Sequence, residues 1–294
     1  MRKRHLIFPL TAAFGLVVYF GLFNYKPFVD FVFEFGDSST ERFDPEASDV
    51  RFESTNEQQQ TLSYEAEILQ PSGISIRDDR MLIVTDTADV FLTDSTADIL
   101  DSARLRGGPL LLRQGFTEGV TWIDDGSAAV IAGEGTKLLF LTVTDAEVSV
   151  ERSVSLNLEN PTGSEVQAIA YRETTGLLSL TIAEHDALRV VWLDGDGQVV
   201  DETHIDLPGV HPEQQDVQGS AIRDETLYLL LKRNILVEID LLDNRVVAVA
   251  ALDYDGDSSG LAVADDRVFV TTDHEYYEAP TTLQTFSLKN HAAG

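Results

Sequence analysis

The sequence predicts an all-β fold, a five-bladed β-propeller, on three observations. A short pattern recurs five times, opening at Ser72-Gly73, Glu118-Gly119, Gln167-Ala168, Gln218-Gly219 and Ser259-Gly260, at spacings of 46, 49, 51 and 41 residues. A period in the forties is the mark of propeller blades, each built from about four strands. Each copy runs through short β-branched and aromatic stretches bounded by Asp, Gly and Asn turns, which is strand composition. Past residue 60, no stretch of convincing helical period interrupts them.

The strands follow in order. Blade one is expected to hold "GISI" from Gly73, "MLIVTD" from Met81 and "VFLTD" from Val90; blade two holds "GVTWI", "AAVIAGE", "LLFLTV" and "EVSVERSVSL". Blade three reads "AIAYRE", "LLSLTIAE", "RVVWLD" and "VVDETHIDL", and blade four "GSAIRD", "TLYLLLKR", "ILVEID" and "RVVAVAALD". Blade five offers only "GLAVA", "RVFVTTD" and "LQTFSL", so its outer strand is expected from "TLSYEAEIL" at residues 61 to 69. Pairing the two ends of the chain in one blade closes the ring and protects its edges. Closure also explains why "PSGISIRDDRMLIVTD" (71–86) and "SSGLAVADDRVFVTTD" (258–273) read so nearly alike: they are the inner two strands of adjacent blades, and their Asp-Asp-Arg belongs to a turn.

Residues 1–60 are organised differently. Arg2, Lys3 and Arg4 form a basic start (1–5), and residues 6–25 are apolar apart from Thr11, Asn24 and two tyrosines. Twenty helical residues span about 30 Å, the hydrocarbon thickness of a bilayer. The run is longer than a signal-peptide core and lacks a small-x-small cleavage site, so an uncleaved membrane anchor is expected. The basic residues then stay in the cytoplasm, and the rest of the chain lies outside it, on the periplasmic side of a bacterial inner membrane. Residues 26–60 are polar and without sustained period, a tether, and the propeller occupies 61–294.

Composition excludes some chemistry. There is no cysteine, hence no disulfide, thiolate metal site or Cys nucleophile. Net charge is −29, and the first thirty residues carry four basic side chains against Asp30 alone, which leaves −32 for the remainder. Such a field repels nucleic acid and draws cations or basic partners. His5, His185, His204, His211, His274 and His291 show no metal-ligand spacing, and no P-loop, G-x-S-x-G elbow or dinucleotide turn occurs. "DYDGDSSG" from Asp253 fails the EF-hand pattern at its sixth and twelfth positions, and "DGDG" at 194–197 reads as a hairpin turn. Arg104, Arg106 and Arg113 are a basic group expected to pair with acidic neighbours.

Propeller geometry puts the start of each inner strand and the end of each second strand on one face. That mouth is expected to gather Glu118, Glu134, Asp86, Glu184 and Asp273 as candidate metal ligands, with Gln167, Gln218, Lys232, His274 and Glu275 beside them. Calcium, which takes six to eight oxygen ligands, is the expected ion, against the alternative that these side chains serve turns and blade contacts.

The strings "SGIS…IVTD", "EGVTW…AGE", "QAIAY…TIAE", "QGSA" and "SGLAV…VTTD", behind one N-terminal apolar segment, resemble the SdiA-regulated (YjiK-like) family of membrane-anchored propellers over residues 65 to 288. The resemblance implies an NHL-like five-bladed propeller with which calcium is associated. This chain departs from it in carrying Gln167, Gln218, Ser72 and Ser259 where such proteins often place Glu. Two functions follow: a membrane-tethered binding module with a ligand or protein partner at the propeller face, or a metal-dependent hydrolase, phosphoesterase or lactonase-like, working through a channel-bound Ca²⁺.

Overall fold

The repeats fold into sheets of antiparallel strands, and five such sheets are present. The computed structural model describes residues 51–294 except 57, 64–67, 69, 106–116, 134, 146, 159–165, 185–186, 209, 211–214, 255–256, 274–280 and 289–294. The expected anchor at 6–25 and the first part of the tether lie outside the described residues, among which no helix is found.

Blade one comprises Pro71–Arg77, Arg80–Thr85, Asp89–Asp94 and Ile99–Arg104. Blade two comprises Thr117–Asp124, Ser127–Ala132, Lys137–Val143 and Val148–Ser155. Blade three comprises Val166–Arg172, Leu177–Ala183, Ala187–Leu193 and Val199–Asp206. Blade four comprises Val217–Arg223, Thr226–Leu231, Ile235–Asp240 and Arg245–Leu252. Blade five comprises Asp257–Ala264, Arg267–Asp273 and Thr282–Ser287. The outer strand of blade one is absent from the sequence reading because "ILDSAR" alternates half-buried and exposed residues and carries no apolar run.

The chain ends meet as expected, with a shift. Gln58–Ser63 pairs antiparallel with Thr282–Ser287 and completes blade five, so the strand overlaps the expected segment only at residues 61–63. An outer strand needs backbone partners on one side and tolerates polar side chains, which is why Gln58, Gln59 and Gln60 serve where an apolar run was sought. Arg51–Asn56, also within the expected tether, runs parallel to Arg245–Leu252 and gives blade four a fifth strand.

The inner strands touch in the order blade one, two, three, four, five and back to one, so the ring is closed. Apolar side chains fill the layers between blades. Leu82, Val84 and Leu92 pack against Val120, Trp122, Val130 and Leu141 between blades one and two; Ile74, Ile83 and Phe91 meet Ala262, Phe269 and Leu283 between blades one and five. Fully burying side chains of this size contributes roughly 1.5–3 kcal/mol each, and these layers hold the ring together.

The small residue opening each inner strand is a matter of contact. A Cβ on Gly73 would lie 2.7 Å from Gly119 Cα, and one on Gly219 would lie 2.5 Å from the Leu261 backbone nitrogen. At this end the inner strands approach more closely than a side chain allows.

Candidate functional site

In three blades the inner strand runs from a glycine to a large side chain at its end. Gly73 is followed by Ile74, Ser75, Ile76 and Arg77; Gly119 by Val120, Thr121 and Trp122; Gly219 by Ser220, Ala221, Ile222 and Arg223. The strands therefore crowd at their starts and diverge towards their ends. Near Ser72, Gly73, Glu118 and Gly119 the axial space shrinks to about 10 Å³, room for about one water molecule. Towards the turns it opens into a cavity of about 650 Å³. The two compartments share Ile74, Ser220 and Leu261, so they are successive parts of one channel, narrow at one face and wide at the other. The wide compartment falls within the range of small-molecule sites.

This cup lies on the face opposite the expected mouth, at the turns that include Asp78 and Asp265. Its base is Ile74, Leu261 and Ala262; its walls include Trp122, Tyr171, Thr121, Ser75 and Ser220; its rim carries Asp78, Asp125, Glu173, Asp224 and Asp265, one carboxylate from each blade, with Arg77 and Arg223. Two wall residues bear buried polar atoms without a hydrogen-bond partner: Trp122, 4% exposed, at Nε1, and Ser220, 6% exposed, at Oγ.

The rim is set by a repeated clasp. Arg77 donates from Nε to Asp125 of the next blade at 2.7 Å and from Nη1 to Glu173 of blade three at 3.1 Å. Arg172 of blade three pairs with Glu225 of blade four, and Arg223 of blade four reaches Asp266 of blade five at 3.4 Å. In repeat register the arginine stands four residues after the small residue, and its acceptor six residues after that of the next blade. Blade two has Ile123 at the donor position, and the facing position in blade three is the uncharged Thr174. Blade five has Ala264 there. Burial alone would lower the Arg77 pKa; the hydrogen bond and charge of Asp125 and the charge of Glu173 outweigh it and raise it. The Thr174 hydroxyl, and then Arg172, hold Glu225 below the ordinary carboxylate range. Asp124 is held low chiefly by the Gly126 amide.

Asp78, Asp224 and Asp265 each open a two-residue turn with φ of 54°, 54° and 52°. That left-handed backbone favours Gly, Asn or Asp, so the turn explains a short residue there.

Several of the expected mouth residues that are described have partners of their own. Glu118 lines the constriction with Ser72. Glu184 faces His204 of the outer strand of its own blade at 3.5 Å. Gln167 is engaged between blades three and four, accepting from the Val217 amide at 3.1 Å and donating to Asp216. Lys232 is exposed, Gln218 half-buried, and the Asp86 amide bonds the Gln70 carbonyl at 3.0 Å. Glu134, His274, Glu275 and the Asp273 side chain lie outside the described residues. Among the described residues no three acidic or histidine side chains form a group able to hold a metal, so Asp86, Glu118 and Glu184 do not by themselves offer calcium a ligand set. Of the basic group, Arg104 pairs with Asp89 at 2.6 Å on its own blade; Arg106 and Arg113 lie outside the described residues. The "DGDG" segment is a turn, its Asp194 carboxylate accepting from the Asp196 and Gln198 amides at 2.9 Å.

The residues missed in the sequence are Arg77, Trp122, Tyr171, Ser220 and Arg223. Their signal was the increase in side-chain size away from Gly73, Gly119 and Gly219.

Comparison with solved structures agrees with the fold. The chain is similar to the glutaminyl cyclase of Myxococcus xanthus, with a TM-score of 0.61 and 14% identity over 81% of this chain and 97% of that one. Other matches are Sqt1 of Saccharomyces cerevisiae, TM-score 0.39 and 8% identity over 72% and 56% of the two chains, and a Bacteroides caccae protein of unknown function, TM-score 0.42 and 14% identity over 66% of each. No protein-family model matches, and comparison with curated proteins returns no relative. The chain is thus defined as a five-bladed β-propeller, a likeness of fold.

Proposed function

We propose that the chain is a ligand-binding propeller, tethered by its N-terminal apolar segment outside the cytoplasm, that takes its ligand in the turn-face cup. The observation that carries this reading is the tapered channel: a 650 Å³ compartment open at one face and narrowed to about 10 Å³ at the other. Its accessible lining is mainly polar, set over Trp122, Tyr171 and aliphatic side chains of the inner strands. Among the described lining residues there is no histidine or lysine, and the carboxylates stand at the exposed rim. That favours binding over acid-base catalysis, which needs its groups within reach of a sequestered substrate. A phosphate ester would meet five rim carboxylates against two arginines, which weighs against the phosphoesterase.

The test is a ligand panel read by thermal melting of the full chain and of Ala221→Phe, which adds bulk at a lining residue. Compounds that raise the melting temperature of the first and not the second support the reading; equal stabilisation of both removes it.

Calcium at the mouth is a separate proposal, resting on Glu118 in the constriction wall. Melting with calcium and with chelator tests it, an upward shift lost in Glu118→Gln supporting the site and no shift discarding it.

A further inference from the structure

We infer that the outer edge of blade four is a docking site for an extended peptide strand of a partner protein, covered in this chain by its own residues 51–56. The inference goes beyond the cup and does not depend on it.

Composition singles out the edge. The outer strands of blades one, two and three carry charge within their length: Asp101 in Ile99–Arg104, Glu151 and Arg152 in Val148–Ser155, Asp201 and Glu202 in Val199–Asp206. That of blade five opens on Gln58, Gln59 and Gln60. Charged and polar residues on an edge strand discourage further pairing. Arg245–Leu252 differs, because after Arg245 it reads Val, Val, Ala, Val, Ala, Ala, Leu, with no polar side chain. Among the described residues, the sheet of blade four alone carries a fifth strand.

The cover is held thinly. Arg51–Asn56 ends its sheet and so has a partner strand on one side only. Arg51, Phe52, Glu53 and Asn56 stand in register with Ala248, Val249, Ala250 and Leu252, and the ladder is irregular between Glu53 and Asn56. Parallel pairing is slightly weaker per residue than antiparallel, and Glu and Asn are depleted from strands. A single residue separates this strand from Gln58–Ser63, which pairs antiparallel in blade five. The first strand can therefore lift from blade four while the second keeps the ring closed.

The edge also defines its occupant. A bared strand takes another extended strand through its backbone groups, and its side chains set the preference. Those of blade four are Val, Ala and Leu, so the incoming segment is uncharged and β-branched, and it runs parallel as residues 51–56 do. A second copy of this chain is disfavoured, since each copy brings a net charge of −29.

The test begins with hydrogen exchange on the full chain, purified in detergent. Amides of residues 51–56 are expected to exchange on the order of a hundredfold faster than those of residues 58–63. Equal protection would make the cover a fixed strand and overturn the inference, whatever becomes of any variant. Phe52→Pro with Glu53→Pro then removes a ladder donor, since alternate residues of a strand face the neighbour. This variant is expected to bind a fluorescein-labelled peptide of residues 49–58, with exchange slowed at Ala248–Leu252 alone. The same peptide carrying Glu53→Val, Ser54→Val and Thr55→Val binds about tenfold more tightly. The full chain binds neither, because its own strand occupies the edge at high effective concentration. No saturable binding by the folded variant, slowed exchange elsewhere, no gain from the three valines, or a dimer of the variant in light scattering would each overturn the proposal.

Discussion

Gly73 of blade one and Gly119 of blade two meet so closely that a Cβ on the first would sit 2.7 Å from the Cα of the second. The contact joins the starts of two inner strands, and its counterpart between Gly219 and Leu261 joins blades four and five. Gly73→Ala and Gly219→Ala are each expected to destabilise by about 2 kcal/mol, the cost of overpacking against unyielding backbone. Gly195→Ala, with nothing within 4 Å, should change stability by a few tenths of a kcal/mol. Denaturant midpoints of the three variants check this.

The blade clasps differ in burial and should differ in weight. Arg172 and Glu225 have side chains 16% and 31% exposed, whereas Arg223 and Asp266 are 35% and 63% exposed. Arg172 also lies 5.6 Å from the Trp192 ring centre. Arg172→Ala is expected to cost about 2 kcal/mol through lost pairing and packing, and Arg223→Ala about 0.5 kcal/mol after solvent screening. Chemical unfolding of the pair separates them.

Glu225 carries a signature in pH. Its folded-state pKa is depressed, first by the Thr174 hydroxyl and then by Arg172. A depressed carboxylate contributes stability that is full above its unfolded pKa, about 4.3, and is lost as pH falls through the lower folded value. The stability difference between the protein and Glu225→Gln should therefore be constant from about pH 7 to pH 5 and shrink below about pH 4. Melting both across that range is the measurement.

Removing residues 1–56 takes away the strand parallel to blade four, beyond an outer strand already paired to its own sheet. Removing residues 1–63 also strips the outer strand of blade five and bares the Thr282–Ser287 edge. The shorter deletion should keep a cooperative melt near that of the full chain. The longer one should lose cooperativity or aggregate, as unprotected edges do. Scanning calorimetry with light scattering distinguishes the two.

The blade period was legible because every blade repeats one contact problem at the axis: Gly73, Gly119, Ala168, Gly219 and Gly260 all answer it with a small residue. Those small residues mark the end at which the inner strands crowd. Strands that crowd at their starts must diverge at their ends, so the wide compartment lies with Arg77, Trp122 and Arg223, not with Glu118. Gln167, placed at the mouth by its position in the repeat, is engaged with Asp216 and Val217, a pairing across blades that spacing along one chain does not reveal. The strands at Arg51–Asn56 and Gln58–Ser63 escaped because outer strands need backbone partners more than apolar faces.

The cup is tested most directly by its own fluorophore. The sequence holds two tryptophans, and Trp122 alone of them lines the cavity, so Trp192→Phe leaves one reporter in its wall. Titrating that variant with a compound that raises its melting temperature should give a saturable change in Trp122 emission, absent in the same protein carrying Ala221→Phe. A compound that stabilises the protein while Trp122 emission stays unchanged would contradict the turn-face cup as the binding site.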